Sequence, residues 1–155
     1  MSSVIIKMDD LTWYFAYGSN MKESRLEERD VQVHDSRTGY VRDFYFNYNK
    51  IGVDETGKGN IIPDSESVVW GVFFEISLKD YRHLHYMYEV GYREIDIEGI
   101  SNGELVQAKS FTALPQKIDE AMIPSDKYHN TVITGAREKS LPEEYINSIE
   151  DRIIT

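Results

Sequence analysis

Tyr14-Phe15-Ala16-Tyr17-Gly18-Ser19-Asn20-Met21 is the stretch on which the fold turns. Residues Thr12 to Tyr17 are aromatic and β-favouring and read as a strand. Gly18-Ser19-Asn20 breaks it, and Asn20 is placed to cap a helix over Met21–Asp30, a segment rich in Glu, Arg and Leu. At such a strand–turn–helix junction several backbone N–H groups converge without intrahelical partners. The helix dipole behind them favours an anion or a developing oxyanion. Gly18 lets a ligand approach the backbone closely, and Ser19 and Asn20 add side-chain hydrogen bonds. The same residues also read as an ordinary turn with an Asn cap, and the pattern alone leaves both readings open.

Working outward, Tyr40 to Tyr48 alternates Phe44, Phe46 and Tyr48 on one aromatic face, a second strand. Residues 52–67 hold Gly52, Gly57, Gly59 and Pro63 and read as a loop. Val68 to Ile76 is a near-continuous apolar run, a buried strand. Ser77 and Asp80 have capping-box spacing and open a helix over Leu78–Tyr88. Gly91 ends it. Tyr92–Glu98 alternates, Asn102-Gly103 is a two-residue turn signal, and Leu105–Thr112 is the partner strand. Pro124-Ser125-Asp126 opens a helix to about Ile133, and Pro142 sits at the first turn of another over Glu143–Ile153. The chain shows no repeat or linker, so a single domain over 1–155 is expected. Its class is α+β, with a mostly antiparallel or mixed sheet.

Composition narrows the function classes. Lys plus Arg is 17 and Asp plus Glu is 27, a net charge of −10. A nucleic-acid partner needs a basic face, and an anionic membrane surface needs the same. Both are therefore disfavoured. With no cysteine, the chain has no disulfide framework, thiolate metal site or cysteine nucleophile. The start, Met1 to Lys7, lacks the pattern of a signal peptide, and a cytoplasmic protein is expected. His83 and His85 are two apart, and on a helix such positions point away from each other, so no metal site is expected. Ser19 has no accompanying His and Asp pattern, and Gly57-Lys58-Gly59 is not a phosphate loop. The run Glu27-Glu28-Arg29-Asp30 reads as a solvated helix face.

Phe15-Ala16-Tyr17-Gly18-Ser19-Asn20-Met21 resembles the N-terminal signature of the γ-glutamylcyclotransferase-like (AIG2-like) family. Three further stretches fit in the same order. Gly57-Lys58-Gly59-Asn60-Ile61-Ile62-Pro63 and Val69-Trp70-Gly71-Val72-Phe73-Phe74-Glu75 resemble its middle segment. Pro124-Ser125 with Tyr128, Gly135-Ala136-Arg137-Glu138 and Leu141-Pro142 with Tyr145 resemble its C-terminal segment. The resemblance spans about residues 13–150. It implies a small, mixed β-barrel-like sheet with flanking helices. It also implies a cofactor-free and metal-free reaction. In it the α-amine of a γ-glutamyl group attacks its own γ-carbonyl, giving 5-oxoproline and a free amine or amino acid. The Tyr17, Gly18, Ser19, Asn20 and Met21 loop would bind the glutamyl group, and a glutamate would move the proton.

That glutamate must take a proton and return it, a task suited to a carboxyl of raised pKa in apolar surroundings. Glu89, within Tyr86-Met87-Tyr88-Glu89-Val90-Gly91-Tyr92, is the candidate. The family usually shows Leu-Asp-x-x-Glu-Gly. Here His85 follows Leu84, Glu89 is five residues after Leu84 instead of four, and Val90 replaces Gly. Strict counting places Tyr88 in the catalytic position, whereas a one-residue shift at the helix end restores Glu89. Glu94 is the fallback. Tyr92 and Tyr128 are further candidates for the pocket. Arg25 either meets a substrate carboxylate or pairs with Glu28 on the surface. The partner expected is a small γ-glutamyl molecule, and the acidic surface leans toward a cationic leaving amine. The protein itself would be a monomer or homodimer. The alternative is a non-catalytic small-molecule-binding or interaction module on the same fold, and a hydrolase releasing free glutamate is a third reading.

Overall fold

The computed structural model describes residues 10–153, so the reading of Met1 to Lys7 lies outside the described residues. The aromatic run forms strand β1, Leu11–Ala16. It is followed by a 3-10 turn, Ser19–Met21, and helix α1, Glu23–Glu28. Strands β2, Asp35–Ile51, and β3, Gly57–Ser77, make one long hairpin. Helix α2, Leu78–Tyr88, leads to a second hairpin, β4, Tyr92–Ser101, and β5, Glu104–Ala113. Helices α3, Asp126–Glu138, and α4, Glu143–Asp151, close the chain.

The strands form a closed barrel in the order β1-β3-β2-β4-β5. All neighbours are antiparallel except β1 and β5, which meet in parallel at Tyr14 and Lys109. That seam is reinforced by side chains. Ser110 Oγ donates to Phe15 O at 2.8 Å and Tyr17 Oη donates to Phe111 O at 2.7 Å. Phe15, Phe46, Phe73 and Phe74 are fully buried, the Phe15 and Phe73 rings 4.7 Å apart on one face of the sheet and Phe74 on the other, with Lys139 Nζ 5.3 Å from the centre of its ring. Burying each such ring stabilises the barrel by roughly 1.5–3 kcal/mol. The expected mixed, barrel-like α+β architecture is the one observed.

Several local expectations change. Residues 57–67 are strand, not loop. Only residues 52–56 make the tight hairpin turn, with Gly52 N–H donating to Thr56 O at 2.9 Å, while Gly57 and Gly59 lie in β3. Pro63 pairs with Phe44 beside a bulge between Arg42 and Phe44, where Asp43 takes φ 68. A bulge is where a strand tolerates proline. Asn20 is not a cap: Lys22 precedes α1 with no side-chain cap, because the chain first coils through the 3-10 turn. Pro142 sits just before the first turn of α4, one residue earlier than read. Ser77 and Ser125 do cap α2 and α3, accepting from Asp80 N and Tyr128 N. Asn102 and Gly103 form the left-handed turn expected of them, at φ 54 and φ 80.

Helix α3 runs five residues past Ile133, through Gly135. Glycine weakens a helix interior, but here it allows contact. A Cβ at Gly135 would stand 2.5 Å from Lys22 N and 2.9 Å from Met21 C. Gly135→Ala must push α3 off the 3-10 turn, and a loss of about 1–3 kcal/mol is expected in urea unfolding. An unchanged midpoint would show that the turn yields freely.

Candidate active site

Glu89 sits just past α2. Its N–H donates to Leu84 O at 3.1 Å, five residues back instead of four. This wide closing turn accommodates the residue by which the sequence exceeds the family spacing. Wide closing bonds of this kind are common where helices end. Tyr88, the strict-count alternative, is at the rim, with the Arg29 guanidinium 4.8 Å over its ring.

The Glu89 side chain is only 15% exposed. Its Oε1 accepts from Asn20 Nδ2 at 2.8 Å, and Arg29 stands 3.8 Å away. Burial dominates and pushes the carboxyl up to about 7, against the pull of Arg29, Asn20, Lys50 and Arg25. Asn20 is the junction of the site. Its Nδ2 also reaches Tyr14 Oη at 3.0 Å, and its Oδ1 accepts from Arg29 at 3.1 Å. The amide that the sequence offered as a cap therefore orients the acid.

Glu89 opens into a cavity of about 450 Å³. Tyr92 and Tyr128 line it, both gripping the backbone of Gly59. Tyr92 Oη donates to Gly59 O at 2.6 Å, and Gly59 N–H donates to Tyr128 Oη at 3.0 Å. Tyr128 Oη accepts there and has the Ser19 side chain as a further hydrogen-bonding neighbour. Gly18 leaves room for it: a Cβ there would stand 3.3 Å from Tyr128 Oη. Burial pushes the Tyr17, Tyr92 and Tyr128 phenols upward, so all three remain neutral donors. Lys50 closes the far side. Its Nζ donates to Val90 O at 2.8 Å and lies 4.9 Å from the centre of the Tyr92 ring.

Tyr17, Gly18, Ser19, Asn20, Glu89, Tyr92 and Tyr128 thus share one cavity. Met21 does not line it: the side chain is fully buried and its N–H donates to Gly18 O at 3.1 Å. Glu94 lies elsewhere, exposed and 3.3 Å from Lys109. Arg25 lines the cavity instead of pairing with Glu28, and Arg29 turns inward from a face read as solvated. The i, i+4 spacing of Arg25 and Arg29 was the available signal, since it puts both on one helix face. Nothing in the sequence marked Lys50 or Tyr14. His83 and His85 diverge: His85 Nε2 is 3.2 Å from Tyr92 O, while His83 meets the Tyr88 ring edge-on.

The family model for the AIG2-like family matches residues 68–149, more than half of the chain. The chain belongs to this family, as its four stretches of resemblance implied. It is 30% identical to a gamma-glutamylcyclotransferase of Bos taurus, over 88% of this chain and 78% of the relative. A solved gamma-glutamyl cyclotransferase matches with a TM-score of 0.80 at 22% identity, covering 91% of this chain and 87% of its own. A yeast gamma-glutamyl cyclotransferase specific to glutathione matches at 0.69 and 11% identity, covering 93% and 96%. At such identities the structural likeness speaks for the fold.

Proposed function

We propose that the chain is a γ-glutamyl cyclotransferase with Glu89 as its acid and base. The observation that carries this is the buried Glu89 carboxyl, raised to about 7 and held by Asn20 at the cavity wall. In the proposed reaction, Glu89 takes a proton from the substrate α-ammonium. The amine then attacks the γ-carbonyl carbon and closes a five-membered ring. The oxyanion that forms faces the Gly18–Asn20 turn. As the bond to the leaving nitrogen breaks, that nitrogen receives the proton from Glu89. The ring nitrogen loses a second proton in becoming an amide, and the released amine takes it up. Protons and electrons balance with no metal or cofactor in any step. Because the nucleophile is already in the substrate, holding it folded supplies much of the rate.

The test is mass-spectrometric product analysis over a panel of γ-glutamyl amines and γ-glutamyl amino acids. 5-Oxoproline is expected from the wild type and not from Glu89→Gln. Free glutamate would mean hydrolysis and would overturn the reading. No product from any substrate, together with a thermal shift on adding 5-oxoproline, would leave a binding module.

The base must be ionised, so kcat/KM is expected to rise with pH through about 7. Arg29 pulls the Glu89 carboxyl down. Arg29→Met is therefore expected to move that rise upward by about one pH unit. A pH–rate profile in which the rise stays in place would show that Arg29 does not act on the base.

A further inference from the structure

The mouth of the cavity differs from its floor. Among the described residues nine large apolar side chains are exposed, and four of them, Val53, Met87, Tyr88 and Val90, line this one cavity. They come from two separate elements. Val53 stands in the turn between β2 and β3, and the others end α2 or follow it. Val53 is 97% exposed in a turn that is otherwise Gly52, Asp54, Glu55 and Thr56. Turns favour glycine and polar residues, so local structure gives no reason for a valine there. Val90 is 60% exposed and Met87 54%. Apolar side chains gathered at one opening mark a binding surface.

This rim is held in place. The Arg29 guanidinium lies 4.8 Å over the Tyr88 ring, and the His83 ring meets it edge-on at 5.8 Å. Val90 O accepts from the buried Lys50 Nζ at 2.8 Å. A surface fixed before binding loses little freedom when a ligand covers it. The floor is polar by contrast. Tyr14, Tyr17, Ser19 and Asn20 are buried there, with the Glu89 carboxyl bonded to Asn20.

Chemistry says which part of a substrate meets which end. The reacting amine and carbonyl must reach Glu89 and the Gly18–Asn20 turn. The glutamyl group is a short methylene chain between an ammonium, a carboxylate and a carbonyl, all of which need hydrogen-bond partners once out of water. The floor supplies such partners and the rim does not. The part of the substrate left for the rim is the leaving group. The net charge of −10 leans toward a cationic one. Within the cavity the balance is reversed, with Arg25, Arg29, Lys50 and Lys58 against the carboxyls of Glu89 and Asp54. A further cation is repelled there.

We infer that Val53, Met87, Tyr88 and Val90 form a specificity subsite for an apolar side chain on the leaving group. This rests on the cyclotransferase reading above. The test compares γ-glutamylalanine, γ-glutamylleucine and γ-glutamyl-α-lysine, which share one backbone and differ only in the side chain. The wild type should favour the leucine compound over the alanine compound by at least about 10-fold in kcat/KM, since one methylene in an apolar pocket already discriminates by about that much. It should not favour the lysine compound over the alanine compound. Val53→Ser combined with Met87→Ser removes apolar surface from both elements at exposed positions, where folds tolerate substitution. In that double variant the leucine-to-alanine ratio should fall to within about 3-fold of one. A ratio is the readout because general loss of activity or stability leaves it unchanged. A wild type that does not prefer the leucine compound, or a double variant that keeps the preference, overturns the proposal. So does a kcat/KM that falls with protein concentration as dimers form in sedimentation, because a second copy would then cover the rim.

If no compound yields 5-oxoproline, the cyclotransferase reading fails separately. The same compounds are then titrated calorimetrically into the wild type and the double variant. Tighter binding of the leucine compound that the double variant loses supports the subsite. Equal binding of the leucine and alanine compounds, or no binding of either, overturns it.

Discussion

Glutamine in place of Glu89 is expected to end turnover and, at pH 8, to leave the protein more stable than the wild type by about 3 kcal/mol. Removing an acid–base group of this kind slows a reaction by about 10²–10⁴-fold. The stability gain follows from the raised pKa. The native carboxyl holds its proton up to about pH 7, whereas the unfolded one releases it near 4.5. One pKa unit corresponds to about 1.36 kcal/mol. Wild-type stability from this group is therefore complete below about pH 4.5, is lost as pH rises toward 7, and stays lost above. Glutamine has no proton to lose and can still accept from Asn20. Urea unfolding at pH 4, 6 and 8 should show the gap opening over that interval. A gap that is constant with pH, or a more stable wild type at pH 8, would mean the carboxyl is not buried as described.

Asn20→Ala is expected to act in the opposite sense on stability. The change removes two donors and one acceptor at once and leaves Tyr14, Glu89 and Arg29 without their common partner. Buried groups stripped of partners cost about 1–3 kcal/mol each, and such losses do not add fully. A net loss of about 3 kcal/mol is expected, with kcat/KM lower by about 10²-fold or more. The donor that pulls the Glu89 carboxyl down is also gone, so the pH–rate rise should move upward. The pair of variants separates two roles: one lowers activity while adding stability, the other lowers both. Asn20→Ala with wild-type kcat/KM would remove the amide from the working site.

The sequence made the turns and capped helices legible because their cause is local. Asn102-Gly103, Ser77 and Ser125 act on the backbone next to them. Glu89 was legible through its aromatic neighbours, although the counting from Leu84 fitted only once the helix end was seen to widen. What the sequence hid depends on distant partners. Pro63 and the nearby glycines looked like loop because their tolerance comes from the bulged strand opposite. Asn20 looked like a cap because Glu89 is 69 residues away. Arg29 stood in an acidic run, and its inward turn is explained by Asn20 and the Tyr88 ring.

The parallel seam between β1 and β5 also governs when the site can come into being. The two hairpins close over short turns, and β1 can lie against β3 as soon as that strand exists. Its other edge waits for residues about 95 positions later. Long loop closure is entropically unfavourable and slow. At a synthesis rate of roughly 5–20 residues per second, the ribosome needs about 5–20 s to supply β5. During that interval the Phe15 and Tyr17 edge has no seam partner, and such an open edge is where nascent chains associate. The loop that would hold the substrate is among the first segments made and among the last to be fixed.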